Sequence, residues 1–134
     1  MADSADLLAF INTYSWSYDA PDLELMDTLF ADDAVFSLRI AGGDLISFDG
    51  RPAIMDLMRN SLAAQTDQRR HINTNFVHLG TENNIHSTRH YLTLVGTENG
   101  EINLLSAGVY SAEIRETEGT LKIGKLHLDL DKAY

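Results

Sequence analysis

Cysteine is absent from the chain, which excludes disulfides, thiolate nucleophiles and cysteine metal sites. No apolar run approaches the ~20 residues needed to span a bilayer. The start, Met1-Ala2-Asp3-Ser4, has no basic segment followed by an apolar stretch, so no signal peptide is expected and a cytoplasmic location is. Basic residues are few: 10 Lys and Arg against 20 Asp and Glu, a formal net charge of −10. A field of that sign repels phosphate backbones and anionic lipid, which argues against nucleic-acid and membrane partners. Gly-x-Ser-x-Gly, a glycine-rich phosphate loop and a dinucleotide fingerprint are all missing, so no nucleotide cofactor is expected. What is present is ordinary for a globular protein: 134 residues, 44% hydrophobic and 22% charged, the size of one domain over 1–134 with a self-sufficient core.

The periodicities predict helices first and long strands last. Leu7, Leu8, Ile11, Tyr14 and Tyr18 recur at helical spacing behind a cap at Asp3 or Ser4. Ala20-Pro21-Asp22 breaks that helix, and Asp22 caps a second one with Leu23, Met26, Leu29 and Phe30 toward the core, ended by Ala31-Asp32-Asp33. Strands are predicted at 34–40 and 45–48, turned by Gly42-Gly43. Pro52 then suits a first helical position, with Ile54, Leu57, Met58 and Leu62 on one face of a third helix. Four strands follow, about 70–79, 85–95, 102–115 and 120–130, joined by Asn83-Asn84, Asn99-Gly100 and Glu118-Gly119. In the last strand the apolar phase slips between Leu121, Ile123 and Leu126, Leu128, Leu130, which predicts a bulge near Gly124 and a bent antiparallel meander. Helices packed on such a sheet make an α+β architecture, expected here as a cone-shaped curved antiparallel or mixed sheet with three helices enclosing a small-molecule pocket.

His71 is the first candidate for chemistry, because neutral imidazole, with a pKa near ~6.5, accepts a proton at neutral pH. A carboxylate on one ring nitrogen makes the other a better base. Asp19, at the end of the first helix, could supply it; the pair could equally be a polar strand histidine and a helix-ending aspartate. Alternation puts Asn73 and Asn75 on the His71 face, leading into Val77 and Leu79, with Ile72, Thr74 and Phe76 opposite. That row reads either as a pocket floor or as a solvent face. Tyr14 and Tyr18 share a helix face and could hold a carbonyl or enolate oxygen, or pack against the sheet. Trp16 lies roughly 160–200° around the helix from both and is expected to pack elsewhere. Metal binding is disfavoured: on a strand His86 and His90 sit ~13 Å apart, too far for one ion with bonds of ~2.0–2.1 Å, and strict alternation points His71 and His78 to opposite faces.

Several local motifs carry a family resemblance over nearly the whole chain. They are Tyr14-Ser-Trp16-Ser-Tyr18-Asp19-Ala-Pro-Asp22-Leu, Leu29-Phe30-Ala-Asp-Asp33-Ala-Val35-Phe36, Asp49-Gly50-Arg51-Pro52-Ala53-Ile54, Arg70-His71-Ile72-Asn73-Thr74-Asn75 and Ala107-Gly108-Val109-Tyr110. Together they resemble the SnoaL-like branch of the nuclear transport factor 2-like superfamily. Within it, the Asp19 and His71 positions look most like scytalone dehydratase, bile acid 7α-dehydratase and hexachlorocyclohexane dehydrochlorinase. No second histidine opposite the first is assigned. The Arg-x-Asp strand pattern of limonene epoxide hydrolase is missing, since Arg89 is followed by His90-Tyr91. The resemblance implies a cofactor-free, metal-free lyase or isomerase. His71 would be its base, Asp19 the orienting carboxylate, and Tyr14 or Tyr18 the donor. Phe36, Met58, Val77 and Tyr110 would form an apolar wall, with Asn73 and Asn75 as hydrogen-bonding groups. It also implies an alternative, a binding or assembly module without chemistry. In either case a homodimer or homotrimer is expected through the second sheet face; the expected apolar stripe includes Leu92, Leu94, Leu104 and Val109, whose individual faces the sequence leaves open.

Overall fold

A computed structural model describes residues 1–134. Helix α1 (Ser4–Asp19) opens on a reciprocal cap: Asp3 accepts from the Asp6 N–H while the Asp6 carboxylate accepts from the Asp3 N–H. Asp22 caps α2 (Leu23–Leu29). Strand β1 (Phe30–Ile40) follows with no intervening turn, so Phe30, Ala31, Asp32 and Asp33 belong to it and not to the helix end. Strand β2 (Ile46–Asp49) pairs back on β1, and α3 (Arg51–Ala64) starts behind Gly50, whose φ is +92°, with Pro52 in its first turn. Four long strands complete the chain: β3 (Gln68–Glu82), β4 (Ile85–Glu98), β5 (Glu101–Thr117) and β6 (Thr120–Leu130). Their hairpin turns all take positive φ at both central residues, Asn83-Asn84, Asn99-Gly100 and Glu118-Gly119, the geometry that matches strand twist.

The six strands form one curved, unclosed mixed sheet in the order β2-β1-β6-β5-β4-β3. All pairs are antiparallel except β1 with β6. One face packs against the helices through Leu7, Ile11, Met26, Ile54, Ile114 and Leu126, all essentially without exposure. No helix is long and apolar enough to cross a membrane.

Five register shifts interrupt the ladders, and the bulges at Gly124 and Asn75 set which faces their strands bury. Glu113 pairs with Lys125 but Ile114 with Ile123, so Gly124 is the extra residue, where the phase slip of the sequence predicts it. A Cβ there would lie 2.5 Å from the Arg115 Nε, the end of a flexible side chain that can move aside. The second bulge departs from the expected alternation. Thr74 pairs with Tyr91 and Val77 with Arg89, so Asn75 and Phe76 together face one residue of β4. Asn75 takes φ +56°, a left-handed conformation that asparagine tolerates better than most residues. The phase reverses after it. Phe76 and His78 turn inward with His71 and Asn73, while Asn75, Val77 and Leu79 turn to the outer face. His71 and His78 therefore share a face. Of the expected association stripe, Leu92 and Leu94 point into the core at 1% exposure each and so cannot belong to it, while Leu104 stays 68% exposed.

Candidate functional site

Asp19 ends α1, and the Ala20 N–H caps the Trp16 carbonyl. The carboxylate thus projects past the helix terminus onto β3, the free edge of the sheet. There one oxygen accepts the His71 backbone N–H at 2.8 Å and the other meets His71 Nδ1 at 2.6 Å. A carboxylate on Nδ1 keeps that nitrogen protonated and leaves Nε2 as the basic one. Three histidines pair with carboxylates: His71, His86 with Glu116, and His127 with Asp129. His86 is bonded at both ring nitrogens, to Thr81 and Glu116. His127 is likewise bonded at both, to Ser37 and Asp129. Of the three, His71 alone keeps a ring nitrogen without a protein partner.

The neighbours of this pair are aromatic and polar. Tyr18 stands edge-on to the His71 ring at 5.2 Å and donates its phenol to Gln65 Oε1 at 3.0 Å. Burial pushes its acidity down, to a pKa of about 12. Tyr14 packs edge-on to Phe30 at 5.7 Å, with its phenol beside that of Tyr110. Burial raises both of those pKa values further, so all three phenols are neutral donors. Asn73 donates to Asn12 Oδ1 and to Ser15 Oγ at 3.2 and 2.8 Å, fastening β3 to α1. Phe36 and Met58 join Tyr14, Tyr18 and Tyr110 in one buried cluster that occupies the space between helices and sheet. The dyad meets solvent through a crevice of about 200 Å³ between α1 and β3, lined by Asn12, Ser15, Trp16, Asp19, Arg70 and His71 together with Ile72. Asn75 and Val77 are not part of this arrangement. The bulge carries them to the outer face, beside Arg89, Tyr91 and Val109. Trp16 packs against nothing in the core and is 65% exposed at the crevice rim.

His90, not assigned from the sequence, is a further member of the inner face. Its ring stacks on Tyr110 at 5.1 Å, interplanar 22°, and lies 6.4 Å from Phe76. Burial pushes its pKa down to about 4, so it is neutral at pH 7. Its Nδ1, the Thr88 Oγ1 and the Asn73 Oδ1 are buried without hydrogen-bond partners. All three belong to the inner face of β3 and β4, and each bare group costs about 1–3 kcal/mol. The signal for His90 was there to read. His86, Thr88, His90, Leu92 and Leu94 alternate without interruption, and the two leucines fix which phase is buried. No cluster of three or more metal-ligating side chains forms.

The sequence profile of the SnoaL-like domain matches residues 1–127. The chain belongs to the SnoaL-like family. Solved structures agree with that fold. A protein of Novosphingobium aromaticivorans assigned as an aromatic ring hydroxylase is 26% identical, with 95% of this chain and 87% of that one covered at a TM-score of 0.77. The β subunit of benzoate 1,2-dioxygenase from Burkholderia mallei is 19% identical, covering 97% and 91% at 0.82. Aln2 from a Streptomyces species is 19% identical, covering 95% and 89% at 0.81. No curated protein matches in sequence. At these identities the SnoaL-like domain shares a scaffold with all three, and a scaffold of this kind does not fix a reaction.

Proposed function

We propose that this SnoaL-like domain is a cofactor-free lyase or isomerase acting on a small, mostly apolar, cyclic or carbonyl-bearing substrate. The observation that carries the reading is the His71–Asp19 pair, with Nδ1 held by a carboxylate at 2.6 Å and Nε2 left free. Nε2 takes a proton from a carbon next to the substrate carbonyl. The electron pair of that C–H bond forms a double bond, and Asp19 stabilises the imidazolium that results. In an elimination the leaving group departs from the neighbouring carbon with its bonding electron pair and takes the proton from the imidazolium, which restores the neutral base. In an isomerisation the imidazolium returns the proton to another carbon. Tyr14 or Tyr18, neutral over the physiological range, is the donor for the oxygen on which charge develops, Tyr18 by exchanging its bond to Gln65 for one to the substrate. His90 is neutral too, and a pKa of about 4 makes it a poor acid catalyst at pH 7.

The test is a screen of small cyclic hydroxy-ketones and related compounds for elimination or isomerisation, followed by His71→Ala and Asp19→Asn. Either substitution should lower kcat by about 10²–10⁴-fold. Variants that turn over as fast as the parent would sink the reading.

A second reading, an assembly module, is favoured by the outer sheet face. Ile72, Leu79, Tyr91 and Leu104 remain exposed there, and exposed apolar area of that kind marks association surfaces. A homodimer or homotrimer through this face is compatible with either reading. Light scattering at micromolar protein should give a multiple of the 14.9 kDa chain mass, and a monomer mass would remove this support.

A further inference from the structure

We propose that the crevice beside His71 and Asp19 selects substrates that carry a planar ring and a carboxylate, with Trp16 as the stacking platform and Arg70 as the anion partner. This rests on the reading of the dyad as the reacting centre and adds what that centre takes.

Trp16 lies three residues before Asp19 and four after Asn12, so the three share one side of α1 and line the same crevice. The buried face of the helix is complete without it, through Leu7, Ile11, Tyr14 and Tyr18. The chain's single tryptophan is nevertheless held at a crevice rim with 65% of its surface open. An indole in water is an expensive use of the largest apolar side chain, and a flat partner stacked on it recovers the burial.

Arg70 adjoins His71 on the edge strand and lines the same crevice. Four of the other arginines are committed to carboxylates: Arg51 to Asp27 and Asp32, Arg59 to Asp56, Arg69 to Asp67 and Arg115 to Asp33. Arg39 bonds the Gly43 carbonyl, and Arg89, which also has no partner, lies away from the crevice beside Val77 and Tyr91. Arg70 forms neither an ion pair nor a side-chain hydrogen bond with the protein, although carboxylates outnumber basic groups two to one. The Asp19 charge beside it is already shared between two N–H groups of His71, so Arg70 is not its counter-ion. A net charge of −10 disfavours the approach of any anion, and a free guanidinium at the entrance reverses that locally, with the fork geometry that binds carboxylate through two parallel bonds. The crevice volume of about 200 Å³ falls below the roughly 300–1,000 Å³ of drug-sized sites, so the ring is a small one. The carboxylate anchors at the rim, and the reacting C–H lies inward, toward Nε2.

The single tryptophan reports on its own site. 4-Nitrobenzoate and its neutral isostere 4-nitrobenzamide are titrated against the whole chain, reading Trp16 fluorescence with calorimetry as a second measure. Saturable quenching is expected, with the acid bound at least about tenfold more tightly than the amide, the worth of one charge-assisted hydrogen bond. Arg70→Gln should erase the preference for the acid and leave amide binding unchanged. Trp16→Leu, followed by calorimetry, should weaken both ligands. Absence of saturable binding, equal affinity for acid and amide, or a preference that survives Arg70→Gln would overturn the proposal. Binding as expected with no turnover of any ring carboxylate would overturn the lyase reading alone. Turnover of neutral substrates with no preference for acids would overturn this inference alone.

Discussion

Acidification from about pH 7.5 to about pH 5 should weaken the fold by about 2 kcal/mol through His90 alone. The ring is 2% exposed, stacked on Tyr110, and its Nδ1 has no partner, so nothing nearby stabilises an imidazolium. Its folded-state pKa is about 4, against 6.5 for a free histidine. Between those values the unfolded chain binds a proton that the folded chain refuses, so stability rises with pH across the window. The contribution is intact above pH 6.5, falls as pH drops toward 4, and levels off below that. Linkage gives a loss of about 2 kcal/mol at pH 5 and about 3 kcal/mol at pH 4. Urea unfolding followed by far-ultraviolet circular dichroism measures it; the fluorescence of exposed Trp16 is a poor reporter of core melting. The informative quantity is the pH-induced loss in the parent minus that in His90→Leu. A difference near zero would refute the argument from burial. So would an imidazole signal for His90 that titrates with a midpoint near 6.5.

Other outcomes follow from named contacts. Gly108→Ala should destabilise by about 1–3 kcal/mol or more, because its Cβ would lie 2.2 Å from the Asp129 carbonyl oxygen, which is main chain and cannot swing away. Gly124→Ala should cost less than about 1 kcal/mol, since the clash is with the flexible Arg115 side chain; equilibrium unfolding of both variants checks the contrast. Asn75→Gly should be neutral while Asn75→Val loses about 1–2 kcal/mol to its left-handed backbone, read from the same unfolding curves. Asp19→Asn should lower stability by about 1.5–3 kcal/mol, the worth of a hydrogen bond to a charged group, and amide exchange at the His71 N–H should quicken; unchanged exchange would mean that the bond to Asp19 is not what protects it.

The parts of the fold that were legible in the sequence are those written in local patterns. The three hairpins were readable because Asn-Asn, Asn-Gly and Glu-Gly interrupt long alternating runs. The Gly124 bulge was readable because leucines on both sides record the phase. The Asn75 bulge was not, because Asn73 and Asn75 before it and Val77 and Leu79 after it look like an uninterrupted row. Only Phe76 and His78 mark the reversed phase, and a histidine is ambiguous as to face. The start of β1 is illegible for a related reason: Leu29-Phe30-Ala31 carries no turn residue, so the helical period runs on in the sequence where the backbone extends at Phe30. Partnerships across the chain, such as Asp19 with His71, 52 residues apart, have no local record at all. They came from motif resemblance, which names positions without measuring distances.

The parallel pairing of β1 with β6 has a consequence for synthesis on the ribosome. Phe30 meets Ile123 and Ile40 meets Leu130, so each rung of that ladder joins residues some 90 positions apart. At roughly 5–20 residues per second, β1 waits many seconds after emerging before its long-range neighbour exists. During that interval its only possible partner is the four-residue β2, and Phe36, Leu38 and Ile40 have no sheet to lie against. The nascent chain thus carries an unpaired apolar edge for most of its translation, a window for pairing with a neighbouring nascent chain. Slower codons placed late in the message would lengthen that exposure, whereas slower codons before residue 30 would leave it unchanged.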